Sequence, residues 1–244
     1  MRVLVVQNFD DEGLGQLGTA LHEAKAELDL RRPYDGESLP ADAEGHDALI
    51  VLGGGQNALD DAGCPYFPSL LSLMREFADS GRAVLGVCLG SQLLARAYGA
   101  ENLVGAASEF GWHGIEQTAE GAGDPVIGAL PGTFSSFQWH DDTFTLPPGA
   151  VRLATNPAAE NQAFRIGRAA YGTQFHFEAD RPHVARWNAV FADLLAERQP
   201  GWAIRHDAEA ARHGAAADAA GLALARAWVA AIPAGMRVRD SASA

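Results

Sequence analysis

Three short runs of apolar, mostly β-branched residues constrain the fold of this chain more than any other feature. They are Arg2–Val6 (RVLVV), Ala48–Leu52 (ALIVL) and Ala83–Val87 (AVLGV). A strand with one wet face alternates polar and apolar side chains. A run without alternation belongs to a strand covered on both faces, as in a parallel sheet. Helical periodicity falls between the runs. Residues 13–25 read as a helix, and from Pro68 to Asp79 the residues Leu70, Leu71, Leu73, Met74 and Phe77 recur at helical spacing before Gly81 stops it. Residues 26–30 are strand-like, and residues 89–98 turn helical straight after Cys88. This alternation predicts an α/β fold, with a doubly wound, mainly parallel central sheet flanked by helices.

The middle of the chain has a different rhythm. Phe110–Thr118, Thr133–Trp139, Val151–Ala154, Ala163–Ile166 and Ala170–His176 read as shorter strands between Pro and Gly turns. Asp180–Glu197 reads as a helix, and 207–231 as an Ala-rich helical stretch with Leu222, Leu224, Trp228 and Val229 on its apolar face. Gln199–His206, with Pro200 and Gly201, is the best linker. Residues 1–198 are thus expected to form the main domain, and 199–244 a C-terminal helical extension packed on it. Arg237–Ala244 lacks a core-forming pattern and is expected to fray.

The 244 residues are 48% hydrophobic and 20% charged, which suits one globular domain with a real core. A net charge of −13 argues against a nucleic-acid partner, which would need clustered Lys and Arg. No apolar run approaches the roughly 18–20 residues that span a bilayer. The N-terminus reads as a first strand rather than a signal peptide, so a cytoplasmic protein without a membrane partner is expected. The two cysteines, Cys64 and Cys88, lie in unlike settings and do not suggest a disulfide framework.

Cys88 stands where a buried strand meets a helix, with Gly86 two residues before it and Gly90 two after. That is the pattern of a nucleophile elbow, in which the flanking glycines leave room for a tight, strained bend. The bend projects the sulfur above the carboxyl end of the sheet and places it at a helix N-terminus, which favours a thiolate. It also frees the Leu89 amide to stabilise an oxyanion. The competing reading is a buried structural thiol. The glycine pair and the strand–helix junction favour the nucleophile, and Cys64, in a loop, lacks both.

A nucleophilic thiol requires a base. Of eight histidines, His176 stands out at the end of an apolar strand in Ala170-Tyr-Gly-Thr-Gln-Phe-His-Phe-Glu178. Period-2 alternation would aim Glu178 to the same side, where its carboxylate could orient the imidazole. A metal site of Cys88, His176 and Glu178 is conceivable but has no C-x-x-C or H-x-x-x-H support.

Four ordered motifs resemble the class I, triad-type glutamine amidotransferases and their γ-glutamyl hydrolase relatives, a flavodoxin-like fold. They are Val51-Leu-Gly-Gly-Gly55, Leu85-Gly-Val-Cys-Leu-Gly-Ser-Gln92, Phe137-Gln-Trp-His-Asp-Asp142 with Leu146-Pro147, and Tyr171-Gly-Thr-Gln-Phe-His-Phe-Glu178. The resemblance runs from Arg2 to about Trp187 and is nearest to stand-alone proteins similar to the amidotransferase domain of GMP synthase. It implies Cys88 as nucleophile, His176 as acid/base and Glu178 as its orienting carboxylate. It also implies an oxyanion hole from the amides of Gly54 and Leu89, and substrate contacts from Gln92, Trp139 and His140. For Gln92 the alternative is a helix-surface residue, and for His140 a satisfied loop histidine. Phe177 and Gly55 stand where relatives often have Pro, without altering the His176–Glu178 spacing.

The implied reaction is attack on the γ-carbonyl of glutamine or a γ-glutamyl amide, with no metal or organic cofactor. The leaving group stays open. Ammonia would imply a separate synthetase or acceptor protein, because no ATP-binding domain or P-loop follows Glu178. A larger amine would imply a stand-alone γ-glutamyl peptidase or hydrolase. A non-catalytic regulatory module on the same scaffold, or another Cys-elbow hydrolase, is the remaining alternative.

Overall fold

The computed structural model describes residues 1–233. Its first half repeats a strand–helix unit. β1 (Arg2–Val6) leads to α1 (Gly15–Glu23), then β2 (Glu27–Arg31), β3 (Ala48–Val51) and α2 (Phe67–Asp79). β4 (Ala83–Val87) and α3 (Leu89–Ala97) follow. The second half adds β5 (Asn102–Leu103), β6 (Glu109–Gln117), α4 (Ala119–Ala122), β7 (Thr133–His140) and β8 (Thr143–Phe144). Then come β9 (Val151–Thr155), β10 (Ala163–Ile166), β11 (Ala170–Thr173), α5 (Arg181–Val190), α6 (Ala192–Arg198), α7 (Trp202–Glu209) and α8 (Ala215–Ala231).

Nine strands form one sheet in the order β2-β1-β3-β4-β11-β10-β9-β6-β7, and β5 pairs β8 separately. From β2 to β11 neighbours run parallel, and from β11 to β7 they run antiparallel. The lack of alternation in the three apolar runs now has its cause. Val3, Val5, Ile50 and Leu85 enter a core shared with α1 and α8, while Leu4, Val6, Leu49 and Val84 enter one shared with α2 and α3. Each face therefore buries its own set, at about 1.5–3 kcal/mol per large apolar side chain.

Three expectations are corrected. The strand expected over Ala170–His176 ends at Thr173. Its parallel neighbour β4 ends at Val87, where the chain bends into Cys88, and the Cys88 amide donates to Thr173 O (2.8 Å) just beyond the strand ends. The helix expected over Asp180–Glu197 breaks at Phe191, whose ring is drawn to Trp139 (5.3 Å between centroids) and Phe9 (5.8 Å). The expected linker Gln199–His206 is mostly helix. Only 199–201 interrupts, and Trp202 then anchors α7 against Phe110 (4.8 Å) while donating to Asn188 Oδ1 (2.7 Å). α7 continues through a π turn, Ala210–Gly214, into α8. In that helix Leu224, Ala225 and Trp228 are buried in the same core as α1. The segment expected to fray, 237–244, lies outside the described residues.

Candidate active site

The site forms where β1, β3, β4 and β11 end, at the carboxyl edge of the parallel half of the sheet. Cys88 caps α3 with φ 49° and ψ −109°, one of two non-glycine residues at positive φ among those described. An L-residue is strained there, and the surroundings enforce it. A Cβ on Gly86 would run into the Gly90 carbonyl, and a Cβ on Gly90 would run into the carbonyl of Val51. Both glycines are needed for close backbone approach. The thiol is 6% exposed; its S–H donates towards Trp139 O (3.7 Å), and the Gln174 side-chain amide donates towards the sulfur (3.8 Å).

His176 follows the end of β11. Its amide donates to Phe137 O (2.8 Å), an isolated antiparallel bridge that replaces the missing ladder. Its Nδ1 lies 2.6 Å from Glu178 Oε1, and both side chains are almost wholly buried. The two meet because of this bridge and two clamps rather than strand alternation. Gln16 N donates to Glu178 O (2.9 Å), and Gln16 Nε2 donates to Phe177 O (3.1 Å). Phe177, at the position where relatives often carry proline, is buried in the α1–α8 core. Burial opposes a charged imidazole, but Glu178 and Cys88 outweigh it and hold His176 well above its ordinary value.

The other expected residues divide into three groups. Leu89 is the first residue of α3, where helix amides lack intrahelical partners, and Gly54 packs against its side chain. Gln92 is buried rather than on the helix surface, and its amide donates to Gln174 Oε1 (3.3 Å) and Asp142 O (3.4 Å) at the cavity wall. Trp139 and His140 line the same cavity, but the His140 ring is already engaged, with Nε2 3.2 Å from Glu109 Oε2 and Nδ1 3.0 Å from Asp142 O. Asn156 and Gln162 also donate to Glu109. Burial raises the Glu109 carboxyl, but His140 and Asn156 outweigh it and hold it below its usual range. The ring of His140 is therefore held by Glu109 and the Asp142 carbonyl at the end of β7.

The cavity holds about 510 Å³ and reaches from Cys88 and His176 to a rim of Phe9, Val104 and Leu194. Two acids missed in the sequence belong to this region: Glu109, which supports His140, and Glu12. Glu12 follows two aspartates after β1 and reads as part of a solvated acidic run. Its backbone instead turns inward, with its amide donating to Phe9 O (3.2 Å) and Gln7 Nε2 donating to its carbonyl (2.7 Å). Glu12, His176 and Glu178 each offer a donor atom within 4.8 Å of the others, the one cluster among the described residues that could hold a metal. Cys88 is not in it.

A strained cysteine at a strand–helix bend, with a His–Glu pair at the next parallel strand, defines an α/β scaffold of the Cys-elbow type. The family model for class I glutamine amidotransferase matches residues 6–185, and the chain belongs to that family. It is 32% identical to the glutamine amidotransferase-like protein YfeJ of Salmonella typhimurium over 73% of this chain and 76% of that protein. It is 29% identical to a glutamine-hydrolysing GMP synthase subunit of Methanosarcina barkeri, over 80% of this chain and 95% of that protein. A crystal structure of a Thermotoga maritima glutamine amidotransferase superposes with TM-score 0.84 at 28% identity, covering 96% of this chain and 99% of that one. No helix among the described residues is long and apolar enough to cross a membrane.

Proposed function

We propose that this protein hydrolyses the γ-amide of glutamine or of a γ-glutamyl amide through a glutamyl-thioester on Cys88. The observation that carries this reading is Cys88 at positive φ with His176 bound to Glu178 beside it. The Cys88 thiolate attacks the γ-carbonyl carbon, a C–S bond forms, and negative charge gathers on oxygen. The amides of Gly54 and Leu89 hold that charge. The C–N bond then breaks as the His176 imidazolium gives its proton to the departing nitrogen. In the second half His176 takes a proton from water, which attacks the thioester and frees glutamate and the thiolate. Glu178 fixes the imidazole tautomer throughout.

Gln92 and the backbone of Trp139 and His140 hold the glutamyl portion. Where ammonia leaves, a separate synthetase or acceptor protein receives it, in keeping with the likeness to a glutamine-hydrolysing GMP synthase subunit. A γ-glutamyl amide of a larger amine is the second reading, favoured by the size and apolar rim of the cavity. Glutamate release from glutamine and a set of γ-glutamyl amides tests the proposal. Release is expected from at least one substrate and is lost in Cys88→Ala. Release from none, or equal release by the variant, contradicts it.

A further inference from the structure

The cavity beside Cys88 contains an acid without a partner among the described residues. Its other acidic and basic lining groups are mostly committed. Asp141 accepts from Ser108 (2.6 Å) and pairs with Arg198 (3.6 Å), and Asp142 accepts from the Gly105 amide (2.7 Å). His176 is bound to Glu178. Glu12 is different among the lining acids, because its Oε2 is buried and, like Oε2 of Glu178 in the same cluster, has no hydrogen-bond partner among the described residues. Burial pushes its carboxyl up to about 7, an effect partly relieved by His176 and deepened by Glu178 and Asp11. Native proteins rarely leave a buried carboxylate unpaired, since its desolvation then goes uncompensated. A ligand that brings a cation would supply the partner.

The cavity that Glu12 lines is also walled by aromatic rings, a lining that suits an organic cation. Trp139 and Trp187 pack at 5.6 Å, Trp139 and Phe191 at 5.3 Å, and Phe191 and Phe9 at 5.8 Å, so aromatic rings continue from the His176 side to the rim. All four line the cavity with Glu12. Aromatic faces and a carboxylate together are the usual means of holding an alkylammonium. Ammonia needs no such wall. A carboxylate oxygen of Glu12 also lies within 4.8 Å of a His176 donor atom, so the group is part of the same site.

We propose that the amine released from Cys88 is an organic diamine-type leaving group, whose second, cationic nitrogen is held by Glu12 against the rings of Phe9, Trp187 and Phe191. The inference rests on γ-glutamyl hydrolysis by Cys88 and names its substrate class. Glu12 is a specificity residue in this scheme. It takes no part in bond breaking.

The test compares three substrates with the purified full-length protein: glutamine, γ-glutamyl butylamide and γ-glutamyl aminobutylamide. The last two match in carbon chain and differ in the terminal charge. kcat/KM is expected to be about tenfold or more higher for the aminobutyl than for the butyl amide, the scale of one charged hydrogen bond. Glu12→Gln should bring the two to near parity, and Glu12→Asp should keep part of the preference. Equal rates for the charged and uncharged amides in the unmodified protein overturn the inference, as does a preference for glutamine over both. An unchanged preference in Glu12→Gln also overturns it. Absence of glutamate from all three substrates instead removes the Cys88 hydrolysis on which it rests.

Discussion

Cys88 has a backbone that its neighbours prevent from relaxing. Gly86 and Gly90 are in contact with carbonyls that a methyl group would displace. Gly86→Ala is therefore expected to cost well over about 1 kcal/mol and to lower turnover more than it lowers substrate affinity, read by thermal melting and steady-state kinetics. Glu12 gives the opposite kind of prediction. Its carboxyl sits at about 7 in the folded protein against an ordinary value of 4.5, so the folded state binds more protons between those values and stability falls as pH rises through that window. Glu12→Gln removes this penalty. The variant is expected to melt several degrees above the parent at about pH 8 and at nearly the same temperature at about pH 4. An equal offset at both pH values would contradict the assignment. Cys88, His176 and Glu178 were legible as candidates because each lies in a short motif, although His176 and Glu178 are brought together by the Phe137 bridge and the Gln16 clamps rather than by the alternation the spacing suggests. Glu12 was not, since nothing in a run of three acids marks the third as the one that Gln7 and Phe9 fold inward.

At the scale of elements, the His176–Glu178 segment is held from outside the sheet. A Cβ on Gly221 of α8 would strike the Phe177 carbonyl, and the α1 residue Gln16 binds the same carbonyl and that of Glu178. Gly221→Val is expected to push this segment off its clamp and reduce kcat by about tenfold or more, with a lowered melting temperature. A variant with normal kcat would show that α8 does not position the pair. Trp202→Ala should cost about 3–5 kcal/mol, since its ring fills the space among Phe110, Trp112 and Phe137. In the first half β1, β3 and β4 were legible because they are buried on both faces and carry continuous apolar runs, whereas β2, at the sheet edge, alternates charged and apolar residues and is largely exposed. The end of β11 was not, because it depends on where β4 stops. Gln199–His206 misled through Pro200 and Gly201, whose turn is short and is overridden at once by the packing of Trp202.

In the whole molecule, the parallel half of the sheet carries the proposed catalytic residues and the antiparallel half contributes Trp139 and His140 to the cavity lining. β1, β3, β4 and β11 deliver Glu12, Gly54, Cys88 and His176 to one edge, while β7 brings Trp139 to the same cavity, its carbonyl 3.7 Å from the Cys88 sulfur. α8 packs beside α1, where Leu224 and Trp228 complete the shared core. Removal of residues 215–244 is expected to leave insoluble or unfolded protein, because it uncovers that core. A net charge of −13 favours approach of a cationic substrate, and its kcat/KM should fall with added salt more steeply than that of an uncharged amide. The central claim is covalent attachment to Cys88. Rapid acid quenching of the protein during turnover, followed by peptide mass spectrometry, should show a glutamyl adduct on the peptide containing Cys88 and none in Cys88→Ala. Turnover that proceeds with the adduct on another residue, or that persists in Cys88→Ala, would contradict the account.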